Sequence, residues 1–404
     1  MSLLAELLGE RPDGKPQDDP FFAQFGFQRN PFPAARTIIE QVLYNQVEAR
    51  DKFVGLVRDV LSPEDPQRRA MGITGGTGGG KTHFLRHCQF MMRDYRASLP
   101  RPFIVVEVLA GSSSAAHVLR EILREADETA KLRGEFDLLT AIVRAVDNGS
   151  EFDNVRQPEL RSVLHLLFSA TTDGFSPPDR DGKMGFEPLR DLAKKWLNGI
   201  SLTPTEKRYL GVFSRLSSAA MMTRFMSELF SLARKKNIFE GVMLCIDEVE
   251  TLFSGSIGSA KIQGFLQDIR YFFDEAVRGS DGYSLLILSA STPLGAANLR
   301  NYNYPLYQRL GFEEGSRAEL KSISSPQEVE AISDLYIDFE IARAALKVPK
   351  PRKILSKEDL EQAYRTAATT DRSSQSAPVQ RVNQGQLLQA LHEIVEQKRI
   401  RAGS

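Results

Sequence analysis

Residues 75–82 read Gly75-Gly76-Thr77-Gly78-Gly79-Gly80-Lys81-Thr82 and fit the pattern G-x-x-x-x-G-K-[ST]. Glycine adopts positive φ without steric cost, so this loop can point successive backbone N–H groups inward around phosphate oxygens at the start of a helix. In the pattern, Lys81 reaches the outer phosphates of ATP and the Thr82 hydroxyl ligates Mg²⁺. We therefore expect residues 75–82, together with His83 directly after them, to bind ATP.

The segments on either side of the loop have the character that the motif requires. Residues 70–74 predict a short buried strand, and residues 83–92 predict a helix. Strand, glycine loop and helix in this order form the context that supports the motif. The alternative is a flexible glycine linker that happens to end in Lys-Thr, and this alternative leaves the flanking pattern unexplained.

Two adjacent carboxylates end another apolar segment. Residues 242–246 are all apolar and are followed by Asp247 and Glu248. Downstream of a phosphate-binding loop, this pattern predicts that Asp247 holds Mg²⁺ through water beside Thr82. Glu248 would then polarise the water that attacks the γ-phosphate. The alternative is a solvated turn after a core strand. For Glu250 we expect a surface or partner contact.

Later polar residues are further candidates for catalysis. Ser291 and Thr292 end the next apolar strand, where a small polar side chain can sense the γ-phosphate or fix the attacking water. A helix N-cap or turn before Pro293 is an equal alternative. Arg309 is a candidate arginine finger, supplied across a subunit interface to stabilise transition-state charge. One arginine in a loop is weak support by itself.

The composition is that of an ordinary globular chain. Of the 404 residues, 42% are hydrophobic and 26% charged, and Lys+Arg equals Asp+Glu at 52 each. Zero net charge disfavours a wholly basic nucleic-acid binder but leaves local basic patches open. Cys88 and Cys245 predict buried thiols of a reducing cytoplasm. No apolar stretch reaches the ~18–20 residues of a membrane span, no signal-peptide pattern is present, and the histidines predict packing rather than zinc.

The remaining pattern predicts an α/β fold with a parallel sheet. Uninterrupted apolar strands separated by helical segments are typical of a sheet covered on both faces, and they occur at 102–108, 242–248 and 284–292. A helix is expected over residues 37–60. Residues 21–33 place five phenylalanines among turn formers. They predict an arm that buries its rings or, less favoured, an arm that also covers the nucleotide base.

The glycine loop, Asp247-Glu248, Ser291 and Arg309 occur in the order of an AAA+ P-loop ATPase, which the chain resembles. More narrowly, it resembles the initiator-like (origin-recognition type) clade and the ATP-binding proteins of BREX-type phage-defence systems. The likeness to the BREX proteins is carried by Trp196-Leu197-Asn198-Gly199, Tyr209-Leu210-Gly211-Val212 and Gly241-Val242-Met243-Leu244-Cys245-Ile246-Asp247-Glu248-Val249-Glu250. Phe25-Gly26-Phe27 with Asn30-Pro31-Phe32 is also similar to ATPases that accompany transposition and secretion.

The resemblance implies a domain organisation and one further site residue. It implies an N-terminal arm at 1–35, a nucleotide-binding core at 36–325 and a helical lid at 326–404. Arg381 stands where a second sensor arginine would reach from lid to γ-phosphate, with a surface arginine as the near-equal alternative. Lys81 and Asp247 are 166 positions apart (247 − 81), too far for a compact core. Residues of about 112–238 are therefore expected to form a helical insertion.

The function implied by the resemblance is an ATPase that converts ATP and water to ADP and phosphate. It would form a homo-oligomer through the Arg309 interface and drive or regulate a nucleic-acid-associated complex, with anti-phage defence as the setting. Its partners would be other proteins of a defence or DNA-processing complex. DNA contacts would use basic clusters that are more often solvated faces: Lys347, Lys350, Arg352, Lys353, Lys398, Arg399 and Arg401. The alternatives are a non-hydrolysing ATP-bound scaffold, a transposition-type adaptor and a kinase.

Overall fold

The computed structural model describes residues 19–34, 37–61, 65–96, 101–111, 114–172, 185–255, 258–276, 282–344, 353–371 and 379–403. The chain divides into two compact units. The unit that we call the lid unit comprises Met1–Gln46, Gly75–His87 and Leu320–Ser404. The unit that we call the sheet unit comprises Val47–Thr74 and Cys88–Glu319.

A five-stranded sheet forms the centre of the sheet unit. Its strands are β1 (Arg68–Thr74), β2 (Phe103–Leu109), β3 (Gly241–Asp247), β4 (Ser284–Ser291) and β5 (Ala318–Glu319). They pair in the order β2-β3-β4-β1-β5, and every pairing is parallel. Each residue of β3 and β4 is buried, so both faces of the sheet are covered, which explains their uninterrupted apolar sequence.

Helices connect and flank these strands. The helix α3 (Lys81–Arg96) belongs to the lid unit up to His87 and to the sheet unit from Cys88. The other helices of the sheet unit are α2 (Val47–Val60), α4 (Ala115–Lys131), α5 (Leu138–Ala145), α6 (Pro158–Thr172), α7 (Phe186–Leu197), α8 (Pro204–Leu210), α9 (Ala219–Lys235), α10 (Ser259–Ala276), α11 (Pro293–Tyr302) and α12 (Tyr304–Arg309). The lid unit holds α1 (Pro20–Ala23), α13 (Pro326–Ala344), α14 (Lys357–Ala367) and α15 (Gln384–Gly403). The predicted α/β fold, a parallel sheet flanked by helices with the glycine loop directly after β1, is confirmed.

The helical insertion predicted between the second strand and Asp247 is present as α4 to α9. Its core is continuous with that of the sheet. Trp196 is fully buried, meets Phe225 edge-on with ring centroids 5.1 Å apart, and donates from Nε1 to the Ser214 carbonyl oxygen at 3.0 Å. The tryptophan quoted in the sequence motif is thus a packing residue of the insertion.

The phenylalanines of the N-terminal arm are packed within the lid unit. Phe22, Phe27 and Phe32 are buried in one cluster with residues of α13, α14 and α15. Asn30 adds polar contacts, because its Nδ2 donates to the His392 carbonyl and to Glu396 Oε1, each at 3.0 Å. Three of the five rings are therefore buried, and those of Phe21 and Phe25 are partly buried.

The expected helix over residues 37–60 is wrong at its start. The structure begins α2 at Val47, and residues 37–46 are irregular. Asn45 has φ of 52°, in the left-handed region, which a right-handed helix cannot include. Among the described residues, no helix has the length and apolar character needed to cross a membrane.

Candidate nucleotide-binding site

The glycine loop of the lid unit is turned sharply at two positions. Gly78 and Gly80 have φ of 70° and 82°, a region that a side chain at Cβ disfavours. Gly79 N donates to Gly76 O at 3.0 Å, and Phe84 N donates to Gly80 O at 2.8 Å as α3 begins. The glycines are needed for this backbone, as the sequence motif indicates.

Lys81 is folded back over this loop. Lys81 is only 9% exposed. Its Nζ donates to Gly75 O at 3.3 Å and to Gly76 O at 3.1 Å. Backbone carbonyls carry partial negative charge, so these bonds are charge-assisted. The ammonium is therefore held beside the loop, where the oxygens of an anionic ligand would bind it more strongly than the carbonyls do.

Two histidines of α3 contact the irregular segment between the arm and α2. His83 Nε2 donates to Ile39 O at 3.1 Å, and His87 Nδ1 donates to Glu40 O at 2.7 Å. Burial lowers the pKa of His83 more than the hydrogen bond to Ile39 raises it, so its ring is neutral near pH 7. The described residues include no group of three or more metal-ligating side chains that could hold a metal ion.

A cavity of about 340 Å³ lies within the lid unit, beside the loop. Its lining comes from three segments of that unit. They are the loop and the start of α3 (Gly78, Gly80, Lys81, Thr82 and His83), the end of the arm and the residues after it (Pro33, Ala34, Thr37 and Ile38) and the lid helices (Tyr336, Asn383, Gln384, Gly385 and Leu388). A cationic, amide-rich part and an apolar part in one cavity suit a ligand with phosphates at one end and a planar base at the other.

The beginning of α15 closes onto the loop. Gln384 N donates to Gly78 O at 3.1 Å. A Cβ placed on Gly78 would overlap the Asn383 side-chain amide, and one on Gly80 would overlap Gln384 Oε1. The sequence motif did not reveal either amide. Asn383 caps α15, since its Oδ1 accepts from Gln386 N at 3.1 Å.

Tyr336 of α13 is one of the residues that line this cavity, and its hydroxyl is buried. The residue is 1% exposed, and its hydroxyl oxygen has no hydrogen-bond partner in the described part of the chain. Burial raises the pKa of this phenol, which is therefore protonated at neutral pH. A buried hydroxyl without a partner costs roughly 1–3 kcal/mol. No sequence pattern indicated this residue of the cavity lining.

In the sheet unit, Asp247 and Glu248 occupy the end of β3. Asp247 is 2% exposed, and its Oδ1 accepts from Glu248 N at 2.8 Å. Glu248 is exposed and has φ of 55°, although it is not a glycine. This conformation costs about 1–2 kcal/mol and directs the two consecutive carboxylates differently. Strain of this kind, held in place by the surrounding fold, occurs most often at functional positions.

Ser291 ends β4, the strand next to β3, so it lies at the same edge of the sheet as Asp247. Its hydroxyl oxygen is buried and has no partner among the described residues. Thr292, one residue later, is the N-cap of α11 and accepts from Gly295 N at 3.1 Å. Glu250 Oε2 accepts from Thr292 N at 3.2 Å, so Glu250 contacts its own chain, whereas its sequence suggested a surface or partner contact.

Of the two arginines proposed from sequence, the structure describes the side chain of Arg309 but not that of Arg381. Arg309 ends α12 and forms a two-pronged ion pair, from Nε to Asp274 Oδ1 at 2.9 Å and from Nη2 to Asp274 Oδ2 at 3.2 Å. To act as an arginine finger, Arg309 would have to leave this ion pair with Asp274 and contact the phosphates instead. Arg381 lies in β7 (Val379–Val382), which pairs antiparallel with β6 (Ala368–Asp371), and its side chain lies outside the described residues.

The basic clusters of the sequence are partly engaged within the chain. Lys353 pairs with Glu330 at 3.3 Å, and Arg399 pairs with Asp19 at 3.3 Å. Lys398 forms an ion pair with Asp359. Lys347, Lys350 and Arg352 lie outside the described residues. Such intrachain pairs fit the alternative of a solvated face better than a nucleic-acid contact.

No protein-family model and no curated protein matches this chain. Among solved structures, it is similar to the ORC2 protein of Aeropyrum pernix in its ADP form, with 12% identity and a TM-score of 0.40 over 82% of this chain. The ADPNP-ADP complexes of that protein give 12% identity and a TM-score of 0.42 over 84% of this chain. The chain spans 65% of the length of each of those chains. The fold assignment therefore rests on strand order and the glycine loop.

Proposed function

We propose that this protein is an AAA+ ATPase of the initiator-like type that uses ATP as a switch. The observation that carries the proposal is the cavity lined by the glycine loop, with positive φ at Gly78 and Gly80, by the nearly buried Lys81 and by Tyr336. A glycine linker would need neither positive φ at Gly78 and Gly80 nor a buried lysine folded over its carbonyls. Both features suit a loop that binds phosphate.

The residues of the cavity fit the parts of ATP. The Lys81 ammonium and the loop amides would bind phosphate oxygens, in place of the Gly75 and Gly76 carbonyls that Lys81 contacts now. Apolar side chains of Ile38 and Leu388 would pack on the base. The Tyr336 hydroxyl would gain a hydrogen bond to a polar atom of the base or ribose, which removes the cost of burying it alone.

Oxygen donors proposed for Mg²⁺ are the Thr82 hydroxyl and the Asp247 carboxylate, the latter through water. Hard oxygen ligands of this kind are those that Mg²⁺ prefers, and the ion would neutralise charge on the phosphates. Glu248 would accept the proton of the attacking water, because its carboxylate is exposed and is carried on a fixed turn. Ser291, with its buried unpartnered hydroxyl, would orient that water or sense the γ-phosphate.

The beginning of α15 would report the state of the loop to the lid helices. Asn383 and Gln384 contact the loop directly, so phosphate binding there would change the hydrogen bond from Gln384 N to Gly78 O. A bond that depends on γ-phosphate is a typical switch element. We retain Arg381 as a second sensor only as a proposal from the resemblance. The segments 1–35, 36–325 and 326–404 likewise remain proposed domains.

The partners belong to the same proposal. Arg309 would act across an interface in a homo-oligomer after leaving Asp274, and the assembly would drive or regulate a nucleic-acid-associated complex, with anti-phage defence as the setting implied by the resemblance. A non-hydrolysing scaffold or a transposition-type adaptor is the alternative. Mass measurement with a slowly hydrolysed ATP analogue tests the assembly, and an unchanged monomer mass would contradict it.

The function is tested by titrating the full chain with ATP and Mg²⁺ in a calorimeter and measuring phosphate release. We expect saturable binding, because a preformed cavity with a buried cation needs little rearrangement, and steady release of phosphate. ATP binding without phosphate release would indicate a non-hydrolysing, ATP-bound scaffold instead. Absence of binding would contradict the nucleotide site itself.

Replacing Tyr336 by phenylalanine is expected to weaken ATP binding about three- to tenfold, the loss of one neutral hydrogen bond. Without ATP, the melting temperature should not fall, because the substitution removes a buried hydroxyl that has no partner. Binding affinities for ATP and GTP and thermal melts measure both effects. Tyr283→Phe, in a fully buried tyrosine of the sheet unit, is the matched control. Equal ATP affinity in wild type and Tyr336→Phe would rule out the hydroxyl contact.

A further inference from the structure

Phe213 is a large apolar side chain held out in solvent. It lies between α8 and α9 in the helical insertion, and it is 87% exposed. Its backbone is nevertheless fixed, since Phe213 N donates to Glu159 Oε1 at 2.7 Å and Lys207 Nζ donates to Phe213 O at 3.4 Å. The backbone that carries this exposed ring is therefore held in place.

The next residue anchors the same turn to the core. Ser214 N donates to Glu159 Oε1 at 2.9 Å, Ser214 Oγ donates to Glu159 Oε2, and Ser214 O accepts from the buried Trp196 Nε1 at 3.0 Å. Partial burial of Glu159 opposes its ionisation, but the hydrogen bonds from Ser214 and Phe213 outweigh this and lower its pKa. The carboxylate is thus ionised at neutral pH and clamps the turn.

Cations surround this turn without carboxylate partners. Arg215 Nε donates to Gly199 O at 3.0 Å, and Arg120 Nε donates to Asn198 O at 2.8 Å, so both guanidiniums are fixed at neighbouring carbonyls. Each uses only Nε, and the terminal Nη groups of these exposed side chains have no carboxylate within ion-pair distance in the described part of the chain. Arg208 of α8 is also exposed and has no ion pair among the described residues.

The nearby acids do not cancel this charge. Glu159 is occupied by the turn itself, and Glu206 pairs with Lys195 at 3.6 Å. Asp191 pairs with Arg190 at 2.9 Å. The surface formed by Arg120, Phe213 and Arg215, which we call the Phe213 surface, therefore combines one exposed aromatic ring with two arginines that have no carboxylate partner among the described residues.

We propose that the Phe213 surface binds single-stranded nucleic acid. Arginine forks bind phosphate oxygens through paired N–H donors, and the Nη groups of Arg120 and Arg215 are placed for this. An unpaired base can stack on the Phe213 ring, a contact that tolerates any sequence because every base has a π face. A purely apolar protein partner would leave the arginines unmatched, whereas a phosphate chain matches them.

The experiment measures anisotropy of a labelled oligothymidylate of about 20 nucleotides, long enough to span several contacts, against the full chain. We expect Phe213→Ala to weaken binding by about tenfold to a hundredfold, and Phe213→Trp to restore it. Because Phe213 is mostly in solvent, these variants should melt like wild type. Leu294→Ala, at another exposed apolar residue (71%), is the matched control and should bind like wild type.

Salt dependence separates phosphate contacts from other effects. Arg120→Ala and Arg215→Ala should each lower the slope of log affinity against log salt by about 0.7, the value for one single-strand phosphate contact. Arg124→Ala, whose guanidinium already pairs with Glu121 and Glu125, should leave the slope unchanged. Lys81→Ala should retain oligonucleotide binding, since it acts at the nucleotide cavity.

The proposal would be overturned if wild type did not bind the oligonucleotide or if wild type and Phe213→Ala bound it with equal affinity. A loss in Leu294→Ala as large as that in Phe213→Ala would overturn it too. Equally tight binding of a duplex would also overturn it, because paired bases cannot stack on the ring. A protein partner would then be the remaining occupant of this surface.

Discussion

Lys81→Ala should weaken ATP binding by on the order of a hundredfold or more, to beyond the range of direct titration. The ammonium is nearly buried and is the cation that lines the cavity beside the loop. Hydrogen bonds from a charged donor contribute roughly 1.5–3 kcal/mol each, so losing two phosphate contacts removes two or more powers of ten in affinity. Calorimetric titration with ATP and Mg²⁺ measures the effect.

The loss should not be a loss of folding. In Lys81→Ala, the bonds from Gly79 N to Gly76 O and from Phe84 N to Gly80 O remain, so the loop should keep its shape and the melting temperature should change little. Lys353→Ala, at an exposed ion pair with Glu330, is the control and should bind ATP like wild type. If Lys81→Ala bound ATP with unchanged affinity, the cavity would not be the phosphate site.

The sequence predicts those parts of the site in which neighbouring residues along the chain determine the structure. The glycine loop needs positive φ at Gly78 and Gly80, and only glycine adopts it without cost, so the motif marks the loop directly. Buried parallel strands need unbroken apolar runs, so β3 and β4 were predicted with their polar ends at Asp247 and Ser291. The α/β class followed from these two local rules.

The parts that sequence does not predict are set by packing of distant segments. Asn383, Gln384 and Tyr336 reach the cavity lining because α13 and α15 pack with the arm around a shared core, far along the chain from the loop. These three residues belong to no sequence motif that would have predicted a place in the site. The start of α2 was missed for a similar reason, since the left-handed residue Asn45 is an isolated backbone feature within an otherwise helical pattern.

Glu248→Gln should lower phosphate release by roughly a hundredfold to a thousandfold while ATP still binds, because proton acceptance by a positioned base typically contributes factors of this size. The substitution keeps the size of the side chain and removes its charge and basicity. Phosphate release under saturating ATP, measured beside ATP affinity, separates chemistry from binding. Equal turnover in wild type and Glu248→Gln would remove the proposed base and leave a different group to activate water.

Backbone strain at residue 248 predicts that one substitution raises or preserves the melting temperature while it lowers phosphate release. A glycine there would relieve the cost of φ near 55°, about 1–2 kcal/mol, so Glu248→Gly should melt at or above the wild-type temperature and yet release little phosphate. Glu250→Gln is the control, since its Oε2 accepts from Thr292 N and the amide oxygen of glutamine can still accept this bond. A more stable but inactive Glu248→Gly would mean that the strained turn is retained for catalysis; loss of stability would mean that Glu248 serves the fold.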